Sequence, residues 1–149
     1  MLIITPSVKA MKKIILALIT TSVILGCNDA KKQQIQQEKL LLDSVIAVHD
    51  KVMANDEHLM KNKMVLDSMV KNIPTPAIKD SATVYLKLVD SADVAMGDWM
   101  HKFDAENKGK SHEEIMNYLG EQKKKIIIID AQIDTAVKES NKYLSQFKK

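Results

Sequence analysis

The stretch VIAVHDKVMANDEHLMKNKMVLDSMVKNI, residues 45 to 73, decides the fold. Val45, Val52, Leu59, Leu66 and Ile73 recur at intervals of seven, and Leu42, Val48, Met69 and Val70 fill the alternate seam positions. Apolar residues at that spacing form one stripe on an α-helix, and a stripe of this kind is buried only against other helices. The stretch then runs into Ile73-Pro74-Thr75-Pro76. Proline lacks the amide proton and disfavours helical geometry in the residue before it, so one helix must stop here. Thr75 as N-cap and Pro76 at the first helical position are placed to start the next.

The same pattern continues beyond the break. Ile78, Ala82, Tyr85, Val89, Ala92, Met96, Trp99 and Phe103 alternate spacings of four and three. A second interruption, Glu106-Asn107-Lys108-Gly109-Lys110, precedes Ser111-His112-Glu113-Glu114, in which Ser111 and Glu114 are spaced as a capping box. A third stripe follows through Ile115, Leu119, Gln122, Ile126, Ile129, Ile133, Ala136, Ser140, Leu144 and Phe147. No segment alternates with a period of two. The spacing predicts helices near residues 36–72, 76–106 and 112–147. Short connections make neighbours antiparallel, so the expected fold is all-α, an elongated up-down-up three-helix bundle of coiled-coil type. Ala82, Ala92 and Ala95 let the second helix pack closely, and Gly97 is expected to allow a close approach by a neighbour.

Composition agrees with long helices. The 149 residues are 4% aromatic and include only 4 Gly and 3 Pro, few turn or strand signals for one domain. Lys and Arg number 22 against 19 Asp and Glu, and the excess of +3 comes from Lys9, Lys12 and Lys13. From residue 27 onward the chain is neutral. Every basic residue is lysine, so the planar fork that reads guanine or clamps phosphate is absent, and nucleic acid is not an expected partner.

The N-terminal region carries an address. Met11-Lys12-Lys13 is a short basic segment, Ile14 to Leu25 is apolar, and Ile24-Leu25-Gly26-Cys27 closes the run at the only cysteine. An apolar run this short reads as a secretory signal rather than a permanent span. It resembles the signal peptide of a bacterial lipoprotein, in which the lipobox cysteine is acylated and becomes the first residue after cleavage. The resemblance implies a signal peptide over residues 1–26 with its true start at Met11, and a lipidated Cys27, palmitate being the kind of acyl chain attached. It implies a polar tether over residues 27–37 and a bundle domain over 38–149. In lipoproteins of this kind an acid-rich stretch just after the cysteine marks export to the cell surface; Asn28-Asp29-Ala30-Lys31-Lys32 has one acid followed by two lysines, so the resemblance implies the outer membrane with the domain facing the periplasm. The His49-Asp50-Lys51-Val52-Met53 and Asp98-Trp99-Met100-His101-Lys102-Phe103 stretches and the helical tail are similar to those of small uncharacterised lipoproteins of the Bacteroidota, some labelled viral A-type inclusion protein. That resemblance implies a compartment and a fold, and no activity.

The candidate chemistry lies between the first two helices. Folding the chain about residue 75 sets His49 level with His101 and Met53 level with Gly97, and folding again near residue 108 sets Met100 and His101 level with Met116. One layer would then gather His49, Met53, Met96, Met100, His101 and Met116, with Trp99 beside them. Thioether and imidazole together suit copper as Cu(I), or, as a Met/His pair, haem iron. Methionine at helical spacing is also ordinary core filler. Other chemistry finds less: Asp98-x-x-His101 is a single motif where di-iron bundles need two, and His112-Glu113-Glu114 lacks a second histidine. There is no Gly-rich phosphate loop and no serine nucleophile on a marked turn. The sequence therefore predicts a lipid-anchored, non-enzymatic envelope protein that acts as a structural element or through an envelope protein or self-association. A periplasmic soft-metal or haem binder is the alternative. Ile127 and Ile128, which one seam cannot bury beside Ile126 and Ile129, are placed to meet a fourth helix from another copy of the chain, or are ordinary exposed apolar residues.

Overall fold

The computed structural model describes residues 23 to 147, with side chains from residue 29. The signal region expected over residues 1–26 lies outside this range except for its last four residues, and so does the Cys27 side chain. Three helices follow in order, α1 (Val23–Asn72), α2 (Pro76–Lys102) and α3 (His112–Ser145), and no strand occurs among the described residues. The chain divides into two compact units, Met1–Lys39 and Leu40–Lys149.

In the second unit the three helices form a bundle, as the stripes require. Lys63 of α1 pairs with Asp90 and Asp93 of α2 at 2.9 and 2.8 Å. Lys51, Asn55 and Asn62 of α1 reach Asp130, Asp134 and Asn141 of α3, so these two helices run parallel in constant register. Tyr85 stacks on Tyr143 at 4.5 Å, Tyr143 donates its hydroxyl to the Ile78 carbonyl at 3.1 Å, and Phe103 just past α2 stacks on Tyr118, so α2 runs antiparallel to α3. The topology is up-down-up.

The core is built from the seam positions. Val45, Val52, Leu59, Leu66, Ala82, Val89, Ile126, Ile133 and Ala136 are almost completely buried, and Met69, Met96, Trp99 and Leu144 join them. Each buried Val, Leu or Ile side chain contributes about 1.5–3 kcal/mol over its exposed state. One seam assignment fails: Phe147 is 43% exposed, because α3 ends at Ser145, and Tyr143 is buried instead.

The helix ends show what the local residues decide. Thr75 stands at the N-cap of α2 with Pro76 after it, but its hydroxyl makes no capping bond; the Thr75 carbonyl accepts from Lys79 N–H at 3.1 Å. α2 stops at Lys102, four residues earlier than the spacing predicts. Phe103 turns extended, and Asp104 Oδ1 accepts from the backbone amides of Glu106 and Asn107, offering the chain a turn in place of a helix. Asn107 and Gly109 both take positive φ in this loop. The capping box at α3 is complete, with Ser111 N–H donating to Glu114 Oε2 at 2.7 Å and Glu114 N–H to Ser111 Oγ at 3.3 Å.

Two expectations need correction. The first helix begins upstream of residue 36 and takes in the polar stretch 28–37; Ala30, Lys31, Lys32, Gln33, Gln34, Gln36 and Gln37 are good helix formers, and no glycine or proline interrupts them. In the first unit, residues 29–37 are exposed throughout, Ile35 included at 55%. Gly97 makes no close approach, since a Cβ built there would meet nothing within 4 Å.

Candidate functional site

The layer expected around His49 is organised by rings. His49 projects from α1, half-buried, with its ring 6.1 Å from that of Trp99 on α2 and Nδ1 2.9 Å from Asp50 Oδ1. Trp99 stacks on Phe103 at 4.7 Å, Phe103 on Tyr118 of α3 at 6.3 Å, and the Lys110 ammonium sits 4.3 Å over the Tyr118 ring. This ladder ties all three helices and the second loop together, and aromatic pairs of this kind add about 0.5–1.5 kcal/mol each beyond their buried area.

The thioethers and imidazoles do not share one environment. Met96 is buried in the core, Met53 and Met100 are more than a third exposed, and Met116 is partly buried. His101 is exposed and its Nδ1 lies 2.7 Å from the Gly97 carbonyl, one turn back on its own helix. Of the two histidines, His49 is the one whose ring meets the aromatic ladder. The second fold-back also falls in a different register: Phe103 faces Tyr118, about a turn further along α3 than a hairpin centred on residue 108 would give, so Met116 drops below the level of Met100. Among the described residues no group of three His, Cys, Asp or Glu is placed to hold a metal ion.

Several buried polar features escaped the sequence. Asn62 is 6% exposed and donates from Nδ2 to Ser140 Oγ at 2.8 Å and Asn141 Oδ1 at 3.0 Å. Position 62 continues the four-and-three alternation through Leu59, Leu66 and Met69, and Ser140 faces it on α3; that spacing was the available signal. Among the described residues, two buried side-chain atoms lack partners, Trp99 Nε1 and Asp130 Oδ1.

The displaced titratable groups are engaged in holding the fold. Lys63, between Asp90 and Asp93, is held well above the ordinary lysine value, first by its hydrogen bond to Asp93. Lys51 is raised by its hydrogen bond to Asp130, and Tyr143 is pushed up by burial. Asp104 is lowered, first by Lys110, and Glu114 is lowered by the Ser111 amide and hydroxyl.

Grooves flank the bundle. One of about 720 Å³ lies between α1 and α3, lined by Lys61, Val65, Met69, Ile73 and Leu144 among others. Two adjoining hollows, of about 390 and 500 Å³, lie between α2 and α3 and share Ile128 and Gln132. No described helix is long and apolar enough to cross a membrane. Fold and surface together define a helical-bundle protein with open interhelical grooves. No family model, no curated protein and no solved structure matches the chain.

Proposed function

We propose that this chain is a lipid-anchored, non-enzymatic protein of the bacterial cell envelope, held to the membrane through Cys27 and acting by protein interaction. The observation that carries it is the order of basic Met11-Lys12-Lys13, apolar Ile14 to Leu25 and small Gly26 before the only cysteine. Joined to the lipid's glyceryl carbon, the Cys27 sulfur is a thioether, which removes it from nucleophilic and disulfide chemistry. Two or more acyl chains give stable anchoring, at about 0.8 kcal/mol for each buried methylene. The non-enzymatic part is supported by the placement of the shifted groups, since Lys51, Lys63, Asp104 and Glu114 are each engaged in an ion pair or a cap. Interaction is supported by the open groove between α2 and α3 and by the apolar residues exposed beside it.

The anchor is tested by expressing the full chain in a bacterium fed an alkyne-bearing fatty acid. The label is expected on the wild-type protein and in the detergent phase on extraction. Cys27→Ser should carry no label and partition to the aqueous phase. Label retained on Cys27→Ser overturns the assignment.

A further inference from the structure

The third helix carries four isoleucines in succession, and the bundle uses two of them. Ile126 and Ile129 are buried, whereas Ile127 is 48% and Ile128 60% exposed. Ile128 lies in the trough between α2 and α3. α1 occupies the opposite flank, where it engages Asp90 and Asp93 of α2 and Asp130 and Asp134 of α3. The trough has an apolar middle lined by Leu88, Ala92, Ile128, Ala131 and Thr135. It continues to an end lined by Trp99, Lys102, Gln122 and Lys125. Leu88 to Lys102 spans about 21 Å at 1.5 Å per residue, four turns of a docked helix. Ala92 and Ala131 leave the floor low enough for a helix to approach.

The charges select the occupant. Exposed lysines stand at both ends, Lys102, Lys124 and Lys125 at one, and Lys87 and Lys138 at the other. Lys102 is paired with Asp98 at 3.2 Å and Lys124 with Glu121 at 2.7 Å, so Lys125 at one end, and Lys87 and Lys138 beside Glu139 at the other, are the charges left to meet an acidic partner. A second copy presenting this same face would bring lysines towards lysines. A lipid surface is flat, and the trough is concave. We propose that the trough between α2 and α3 docks one amphipathic helix of a partner protein, its apolar stripe on Leu88 and Ile128 and an Asp or Glu near each end against the lysines. This is the helix-in-groove mode, in which the apolar stripe supplies affinity and the end charges fix orientation. Trp99, 6% exposed, lines the lysine-bearing end of the trough beside Lys102 and Lys125. The inference rests on the interaction part of the function proposed above.

Trp99 is the chain's only tryptophan, so it reports on the trough directly. The full chain in detergent micelles is titrated with a tryptophan-free synthetic helix bearing a leucine stripe and two glutamates at each end. The expected result is a saturable change in Trp99 emission, weakened about tenfold or more when lysines replace the glutamates, and weakened by added salt. Ile128→Glu and Ala131→Arg, both at exposed positions, should each weaken binding by about tenfold with unchanged helical circular dichroism. Equal binding of both peptides, or no saturable change, overturns the proposal. So does an emission shift that depends on protein concentration alone and disappears in Ile128→Glu, which places a second copy in the trough. A response of the chain to phosphatidylglycerol vesicles in place of the peptide assigns the face to lipid and also overturns it. Fatty-acid labelling of Cys27 is scored separately, so the anchor and the trough can fail independently.

Discussion

At the scale of single residues, the bundle depends on a polar pair set among apolar neighbours. Asn62 and Ser140 occupy seam positions that leucine or isoleucine could fill, and Ser140 is fully buried while donating to the Ala136 carbonyl at 2.5 Å. Their hydrogen bond offsets the desolvation of both groups and penalises other pairings of α1 with α3, because a slipped register would bury an unpaired amide. Asn62→Ala removes the amide, opens a small void and leaves Ser140 and Asn141 without their donor. It is expected to lower unfolding stability by about 2 kcal/mol, seen as a lower urea midpoint at unchanged slope. An unchanged midpoint would show that the pair contributes nothing net. His49 and His101 illustrate the limit of level-matching from sequence. Periodicity placed them near one height, but which way a side chain turns depends on its nearest acceptor, and for His101 that is the Gly97 carbonyl.

Elements were legible where a stripe ran long and less so where it ended. The capping box at Ser111 and Glu114 is visible in the spacing because the partners stand three residues apart, whereas the early stop of α2 depends on Asp104 capturing amides that a continued helix would need. The α1 start lies further upstream than periodicity indicates, because polar glutamines and lysines leave no apolar stripe to read although their helix propensity is good. The capping box also gives α3 a pH dependence. Glu114 has a folded value below its ordinary 4.5, so its contribution is fully present above that value and is lost as pH falls through 4.5 and then through the lowered folded value. Amide exchange in the first turn of α3 should therefore accelerate as pH falls through this window, beyond the change intrinsic to exchange chemistry. Glu114→Gln keeps an acceptor for the Ser111 amide and should flatten that dependence. Equal pH responses in the two proteins would remove Glu114 from the explanation.

For the whole molecule, the distribution of burial separates the two units of the chain. The bundle topology followed from three stripes and two breaks, and nearly every predicted seam residue from Val45 to Leu144 is buried or half-buried. What could not be read was the surface: which isoleucines stay exposed, and which groove is left open, depend on how the three stripes share one core. Residues 29–39 bury no side chain, so this stretch of α1 has no packing to hold its backbone hydrogen bonds closed. Residues 45–69 carry Val45, Val52, Leu59, Leu66 and Met69 in the core, so their amides open only with the bundle. Hydrogen exchange followed by mass spectrometry on the full chain should show peptides within 29–39 exchanging within seconds to minutes, and those within 45–69 protected by orders of magnitude. Equal protection across both stretches would mean that a partner covers Ile35 and its neighbours. Repeating the measurement with the acidic helix bound should leave 29–39 unchanged while slowing exchange in α2 and α3, because the proposed trough belongs to the bundle alone.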